Sequence, residues 1–599
     1  MIRSILTLTG KGFSMLRVDW QNRARTAFVA FLLLIVWPCC ALASPPDPCP
    51  RPAQGSVIAQ PPDLYSQNGV LNVSLNYYTL VDQWGRTLFC YATPAGLEAP
   101  TLHVNPGDTL NITLTNMEPN THSLGSGGET VSAPSNTCGA VEMTVQSANI
   151  HFHGLNVTPR CHSDEVIHTL VNPAESFNYR IKIPKDEPPG MYWYHAHVHG
   201  IASHAVQGGA SGAIEVEGIA NIQAAVQGLP QRFLVFRDQP LQNPQTSLTG
   251  IVAPFWDVSL NYVPVSFPRY VPGIIQMQAG AQEFWRVVNA SADTVMDIQL
   301  LYDGKAQPLQ IVALDGVPTG SQDGKQQGTI ITQTDILIPP AGRAEFVMTG
   351  PSAKVKNAIL WTRHIDTGPG GDSDTGRPLA QIQLTRDLHK IPKPILATAI
   401  PVHAQRFADL TDAMVTLHRS LYFDEHIGRN GKTPSGGMVF FITVEGQGDK
   451  FYTPDELPAI TTTRGAVEDW TIENHTNEVH EFHIHQVHFQ LLAVNGKPVE
   501  ANQRQFYDTH QVGYWSGQGP YPSITVRMDF RGAVVGEFVY HCHILDHEDH
   551  GMMANILVLP AHPPPGAQTK ESKARSTEQA RSTGAGAAKP GAHSASAHA

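Results

Sequence analysis

Residues 534–553 read VVGEFVYHCHILDHEDHGMM, and the fold follows from how that stretch alternates. Through Tyr540 it is rich in β-branched and aromatic residues and reads as a strand. If the extended chain continues through His541-Cys542-His543, the two histidines share one face and Cys542 takes the other. His547 follows, and Met552 lies ten residues after the cysteine. A strand with a thiol on one face and two imidazoles on the other offers metal ligands in two directions.

Outward from this stretch the chain keeps the same character. Short segments at 70–80, 110–114, 213–216, 232–235, 284–288 and 440–444 are rich in β-branched or aromatic residues and separated by Gly, Pro, Asn and Asp, and long helical periodicity is scarce. The pattern predicts an all-β protein of two-sheet sandwiches. With 599 residues the chain has room for several domains. Strands give way to loops near 217–228 and near 387–401, which divides the body into three β domains at 44–220, 221–395 and 396–562. Beyond, 563–599 is Pro, Ala, Gly, Ser and Lys, too poor in large apolar side chains to fold, and reads as a disordered tail.

The first 43 residues carry Arg3, Lys11, Arg17, Arg23 and Arg25, then an apolar run from 28 to 36, then Ala41-Leu42-Ala43: the order of a cleaved secretory signal, with Met15 an alternative start. The run is shorter than the roughly 20 residues of a spanning helix. A secreted or periplasmic protein with no membrane span after cleavage is expected. Formal charge is -12; the leader carries +4 and the tail +3, which leaves -19 on the body and argues against nucleic acid as a partner. Of seven cysteines, Cys39 and Cys40 leave with the leader. Cys49, Cys90, Cys138 and Cys161 can form two disulfides in any of three connectivities, with Cys49–Cys90 and Cys138–Cys161 preferred. Cys542 is left over.

Three more histidine motifs accompany it: His151-Phe152-His153, His195-Ala196-His197 and His480-Glu481-Phe482-His483-Ile484-His485. One such pair is commonly an ordinary surface or core pair; four motifs with a lone cysteine framed by histidines are not explained that way. In the third motif His483 and His485 share a face and His480 opposes them. Parity thus predicts two metal centres, one around Cys542 and His480 and one fed by the His-x-His pairs. One thiolate, two imidazoles and a thioether form the ligand set of a blue-copper site, with zinc the competing metal. The two centres fall roughly a dozen Å apart, from strand rise and side-chain reach.

These motifs resemble those of the three-domain multicopper oxidases, the family of laccases, ascorbate oxidase and bilirubin oxidase, from about Pro61 to Pro560; the run His541 to Asp549 is similar to bacterial laccase-like members. The resemblance implies three cupredoxin-like Greek-key β-sandwich domains and four copper ions. It implies a type 1 copper on His480, Cys542 and His547 with Met552 axial, and a type 2 copper on His151 and His483. One type 3 copper takes His153, His195 and His543, the other His197, His485 and His541. It makes the middle domain a spacer without ligands, and it points to Glu548 and Asp164 as proton sources. Glu481 stands where many relatives have proline, and Gln486 where many have glycine, which is expected to alter the rim that meets substrate. His162, His168, His199, His204, His488 and His550 match no ligand position and read as surface or supporting residues.

The expected activity is oxidation of phenols or aromatic amines, one electron at a time, coupled to reduction of dioxygen to water. A metallo-oxidase for Cu(I), Fe(II) or Mn(II) is the alternative, although the 13 methionines are scattered rather than gathered in an insertion suited to Cu(I). A non-catalytic copper carrier needs only the Cys542 centre and leaves eight motif histidines without a role.

Overall fold

Strand Val70–Val81 buries Leu71, Val73, Leu75 and Tyr77 and turns Asn72 and Ser74 to solvent, the two-residue period of a sheet with one wet face. It runs parallel to Thr109–Asn116, which pairs antiparallel with Ser176–Lys182. The arrangement returns twice. Gln231–Pro240 runs parallel to Gln282–Asn289, which pairs antiparallel with Arg343–Thr349. Leu417–Ile427 runs parallel to Val467–Asn474, which pairs antiparallel with Ser523–Asp529. Each parallel pair is joined by chain that crosses the facing sheet, and the result is three cupredoxin-like Greek-key sandwiches. This computed structural model describes residues 47–118, 138–140, 142–242, 253–321, 328–395, 406–427, 437–500, 503–532 and 534–561. The leader and tail read from the sequence lie outside them.

Each sandwich closes over its own core, with Tyr77 and Tyr194 in the first, Trp285 and Phe346 in the second, and Trp470 and Tyr540 in the third. The facing sheets decide where the histidines go. In the first sandwich His151–His153 pairs with Gly190–His195, placing His151 opposite His195. In the third, His480–Ile484 pairs with Gly536–Cys542, placing His483 opposite His541 and Phe482 opposite Cys542. The corresponding strands of the middle sandwich, Met296–Tyr302 and Ala358–Thr362, hold neither histidine nor cysteine. Among the described residues the α-helices are two short ones, Ala202–Gln207 and Leu545–Asp549. Cys49–Cys90 and Cys138–Cys161 are the disulfides, and Cys542 is free and buried.

A buried charge network ties the first sandwich to the second. Arg286 reaches Glu215 of the first and Glu345 of its own sandwich, and Glu345 accepts the Met191 amide at 2.8 Å. Beside it His103 Nδ1 lies 3.1 Å from Glu215 and 3.0 Å from Glu217, with Nε2 3.2 Å from Asp63. Burial alone acts against the imidazolium, but the hydrogen bonds to Asp63, Glu215 and Glu217 outweigh it and raise His103 to about 11. A raised histidine stabilises the fold fully below its unfolded value, near 6.5, and loses that contribution as pH climbs to about 11. His103→Leu is expected to cost about 3 kcal/mol near neutral pH, the low end for a broken buried pair because Asp63 and Glu217 keep some access to water. Denaturant unfolding between pH 6.5 and 11 checks this: the parent loses stability across the window and the variant changes far less.

Candidate metal centres

Two clusters lie back to back along strand Gly536–Cys542. On one side His480, Cys542 and His547 converge, each buried. Cys542 Sγ is 3.6 Å from His480 Nδ1 and 3.8 Å from His547 Nδ1, and the two ring nitrogens are 3.1 Å apart. His480 comes from the neighbouring strand, and His547 from the helix that follows the cysteine. With Nδ1 turned to the sulfur, His480 Nε2 is free to donate to Thr476 Oγ1 at 2.9 Å. Phe440 stacks on His547 at 4.2 Å. Met552 accepts the Cys542 amide on its carbonyl and shares the Cys542 core cluster, while Met553 packs with Val166, Tyr452 and Val539. Alternation therefore puts Met552, not Met553, on the thiol side.

On the other side eight histidines form a buried cage in three groups: His151, His153 and His483; His153, His195 and His543; His197, His485 and His541. His153 belongs to two of them. Outer nitrogens are anchored: His195 Nδ1 on the Ala196 carbonyl at 2.9 Å, His483 Nδ1 on the Asp508 carbonyl at 2.8 Å, His541 Nδ1 on the Cys542 carbonyl at 2.9 Å. Inner nitrogens are not. His151 Nε2, His153 Nδ1, His195 Nε2, His483 Nε2 and both nitrogens of His543 are buried without a hydrogen-bond partner. Burial first, then the mutual repulsion of neighbouring rings, holds His151, His483 and His485 well below the usual histidine range. Neutral imidazoles whose lone pairs converge in a dry interior fit metal cations, which supply the partner that protein does not.

Carboxylates surround the cage, two of which the sequence pointed to. Asp164 accepts from His151 Nδ1 at 3.0 Å, from the Phe152 amide at 3.0 Å and from Gln486 Nε2 at 2.6 Å; burial pushes it up to about 7 against those bonds. Glu548 lies 3.2 Å from His541 Nδ1 and 3.6 Å from His197 Nδ1, yet both its oxygens are buried without a donor, because His541 Nδ1 is turned to the Cys542 carbonyl. Burial, then Asp549, pushes Glu548 upward.

Other supporting residues gave no signal in the sequence. Asp508 lies 3.1 Å from His153 Nε2, leaving Nδ1 to face inward, and is held bidentately by Arg343 of the middle sandwich. Arg343 also meets Asp315. Asp549 accepts the amides of Gly200, Ala202 and Ser203, pinning the segment after His197 to the helix that carries His547 and Glu548. The contacts of Asp508 with Arg343 and His153 span 165 and 355 residues and those of Asp549 span 346 to 349, so no local motif announces them.

Two expectations need correction. Gln486 and Glu481 do not shape a substrate rim; both are buried. Gln486 takes a left-handed φ of 57°, a conformation easiest for glycine, and uses its amide to hold Asp164. The middle sandwich supplies none of these four groups, but it is more than a spacer, since its Arg343 and Asp315 grip the acid behind His153 and His483. Of the unassigned histidines, His488 is a buried support on the Asp315 carbonyl, and His162 and His550 hold exposed carbonyl contacts.

Two family models described as multicopper oxidase match, one at residues 142–220 and one at 432–562, the two segments that carry these motifs. The chain belongs to the multicopper oxidases. It is thus an oxidoreductase of a copper-binding family that uses oxygen. Solved structures similar to this oxidase include the multicopper oxidase of Campylobacter jejuni, titled a metallo-oxidase, at 23% identity and TM-score 0.58, covering 86% of this chain and 97% of that one. McoA of Aquifex aeolicus matches at 18% identity and TM-score 0.58, covering 84% and 99%. The laccase-like CueO of Ochrobactrum sp., whose title records activity towards lignin model compounds and lignosulfonate, matches at 20% and TM-score 0.57, covering 84% and 100%.

In the oxidase, removing Arg343 strands Asp508 as a buried charge. Arg343→Met is expected to destabilise the copper-free protein by about 3–5 kcal/mol. Adding Asp508→Asn recovers part of that loss. Denaturant unfolding of the three proteins reads both effects.

Proposed function

We propose that this oxidase couples the one-electron oxidation of a small reducing substrate to the four-electron reduction of dioxygen to water, with a type 1 copper and a three-copper cluster as the redox groups that its ligands would hold. The observation that carries the reading is the position of Cys542: its side chain belongs to the thiol centre and its two chain neighbours, His541 and His543, belong to the cage. His480, Cys542 and His547, with Met552 as the thioether beside them, would hold the type 1 copper. His151 and His483 would hold the type 2 copper; His153, His195 and His543 would hold one type 3 copper, and His197, His485 and His541 the other. Bound copper supplies the one-electron couple and the place where dioxygen is reduced. Domains at 44–220 and 396–562 contribute the ligands and 221–395 braces them. Two disulfides support a secreted or periplasmic location.

What lies outside His480 supports a reading of the substrate class. An open pocket of about 450 Å³ is lined by Asp424, Glu425, His475, Thr476, Asn477 and Trp515, and Thr476 Oγ1 touches His480 Nε2. Trp515 and Tyr521 pack together there, and Tyr521 stacks on His475 at 3.7 Å. Aromatic walls with carboxylates at the edge suit phenols and aromatic amines. One observation favours the second reading, a reduced metal ion: Glu478, which pairs with Glu425, comes within 3.5 Å of His547 Nε2, placing acid beside a ligand of the electron-accepting copper. Oxygen uptake by copper-loaded protein decides between them. Phenols and aromatic amines are expected to drive uptake; uptake with ferrous, cuprous or manganous ion alone moves the function to the metallo-oxidase, and none at all removes both readings.

Reducing dioxygen to two waters consumes four protons, and neutral imidazoles bound to metal have none to give. Glu548, between His197 and His541, and Asp164, on His151, are the acids that supply them. General acid steps are worth about a hundredfold to ten-thousandfold. Glu548→Gln is expected to keep its blue colour and its rate of reduction by donor, while reoxidation by dioxygen slows at least about a hundredfold. Stopped-flow reoxidation at the parent rate contradicts the role.

A further inference from the structure

The Glu481 amide nitrogen lies 3.3 Å from Cys542 Sγ, and both residues are fully buried. Glu481 sits in strand His480–Ile484, between Thr509–Val512 and Gly536–Cys542. Both its peptide groups face the cysteine strand: the carbonyl accepts the His543 amide at 2.8 Å and the N–H goes to the sulfur. A buried N–H needs an acceptor, and the thiol is the one this peptide has found. The side chain holds the peptide in place, since one carboxyl oxygen accepts from Gln511 Nε2 at 2.9 Å on the opposite strand.

We propose that the Glu481 N–H···Sγ bond raises the reduction potential of the copper that Cys542 would hold, making Glu481 a backbone residue that tunes how readily this oxidase accepts electrons. The Ile544 amide is a second backbone donor to the same thiol. A thiolate stabilises oxidised copper by donating electron density to it, and hydrogen bonding around the sulfur is a recognised control on such a site. A donor aimed at the sulfur withdraws part of that density, and oxidised copper needs it more than reduced copper does. The reduced state is favoured, and the centre can draw electrons from weaker donors. The inference rests on the type 1 reading of His480, Cys542 and His547.

Only the backbone N–H carries the effect, so among the natural residues only proline removes it. The site accommodates proline, because that N–H goes to the sulfur and His480 before it is already extended. The experiment is a redox titration of the blue absorption in copper-loaded parent, Glu481→Pro and Glu481→Ala. Glu481→Pro is expected to lower the equilibrium constant for reduction about tenfold, 59 mV for a one-electron couple, and Glu481→Ala, which keeps the N–H, to stay within about threefold. An unmoved proline variant, or an alanine variant that falls equally far, overturns the inference. If Glu481→Pro does not fold, resonance Raman spectra of the parent in light and heavy water serve instead: the copper–sulfur bands shift on exchange of the amide, and identical spectra overturn the inference. A parent that binds copper without turning blue removes the type 1 reading itself, whereas a blue parent with an unmoved potential removes this inference alone.

Discussion

Side chains on an extended chain alternate, so His541, Cys542 and His543 cannot share a face. Everything at the metal centres depends on that constraint. The cysteine is committed to His480 and His547 on one side, and its neighbours to the cage on the other, with the main chain of one strand as the shortest connection between them. The partner strand obeys the same rule: His480 joins the thiol while His483 joins the cage. A one-residue slip between these strands would turn both centres inside out, and the third sandwich's core, packed around Trp470 and Tyr540, resists it.

The second demand is electrostatic. Neutral imidazoles in a dry interior need their outer nitrogens fixed so that the inner ones converge, and at His151, His153, His195, His483 and His541 the fold meets this with backbone carbonyls and with Asp164 and Asp508. Buried carboxylates in turn need partners. Asp508 finds one in Arg343, whose charge burial opposes but Asp508 and Asp315 more than sustain. The middle sandwich therefore gives no residue to these four groups yet supplies the cation that keeps an acid behind His153. Glu548 has no donor on either oxygen and is pushed toward its neutral form, which suits the proton-donor role proposed for it.

Local pattern made much of this legible. Seven short apolar runs point to the all-β class, and parity within His480 to His485 separates the two centres. The roles of Glu548 and Asp164 and the assignment of each ligand came from resemblance, because spacing alone cannot say which histidines of different sandwiches meet. What stayed hidden depends on tertiary distance or backbone geometry. Asp508 lies in a stretch with no motif, Arg343 in a sandwich with no ligand, and Asp549 acts on amides 346 to 349 residues away. Glu481 and Gln486 were visible as departures, but their effect is exerted by an amide aimed at sulfur and by a left-handed turn inside the protein, neither of which a side-chain reading contains.

On the proposed function, one strand joins a thiol-centred copper to a three-copper cage. Metal analysis with visible and electron paramagnetic resonance spectra, on the copper-loaded parent and on Cys542→Ser, tests it most directly. The account predicts about four coppers and a blue protein, falling to about three coppers and no blue colour in the variant, with the type 2 signal retained. Zinc in place of copper, a parent that stays colourless, or a variant that loses all its copper together would contradict it.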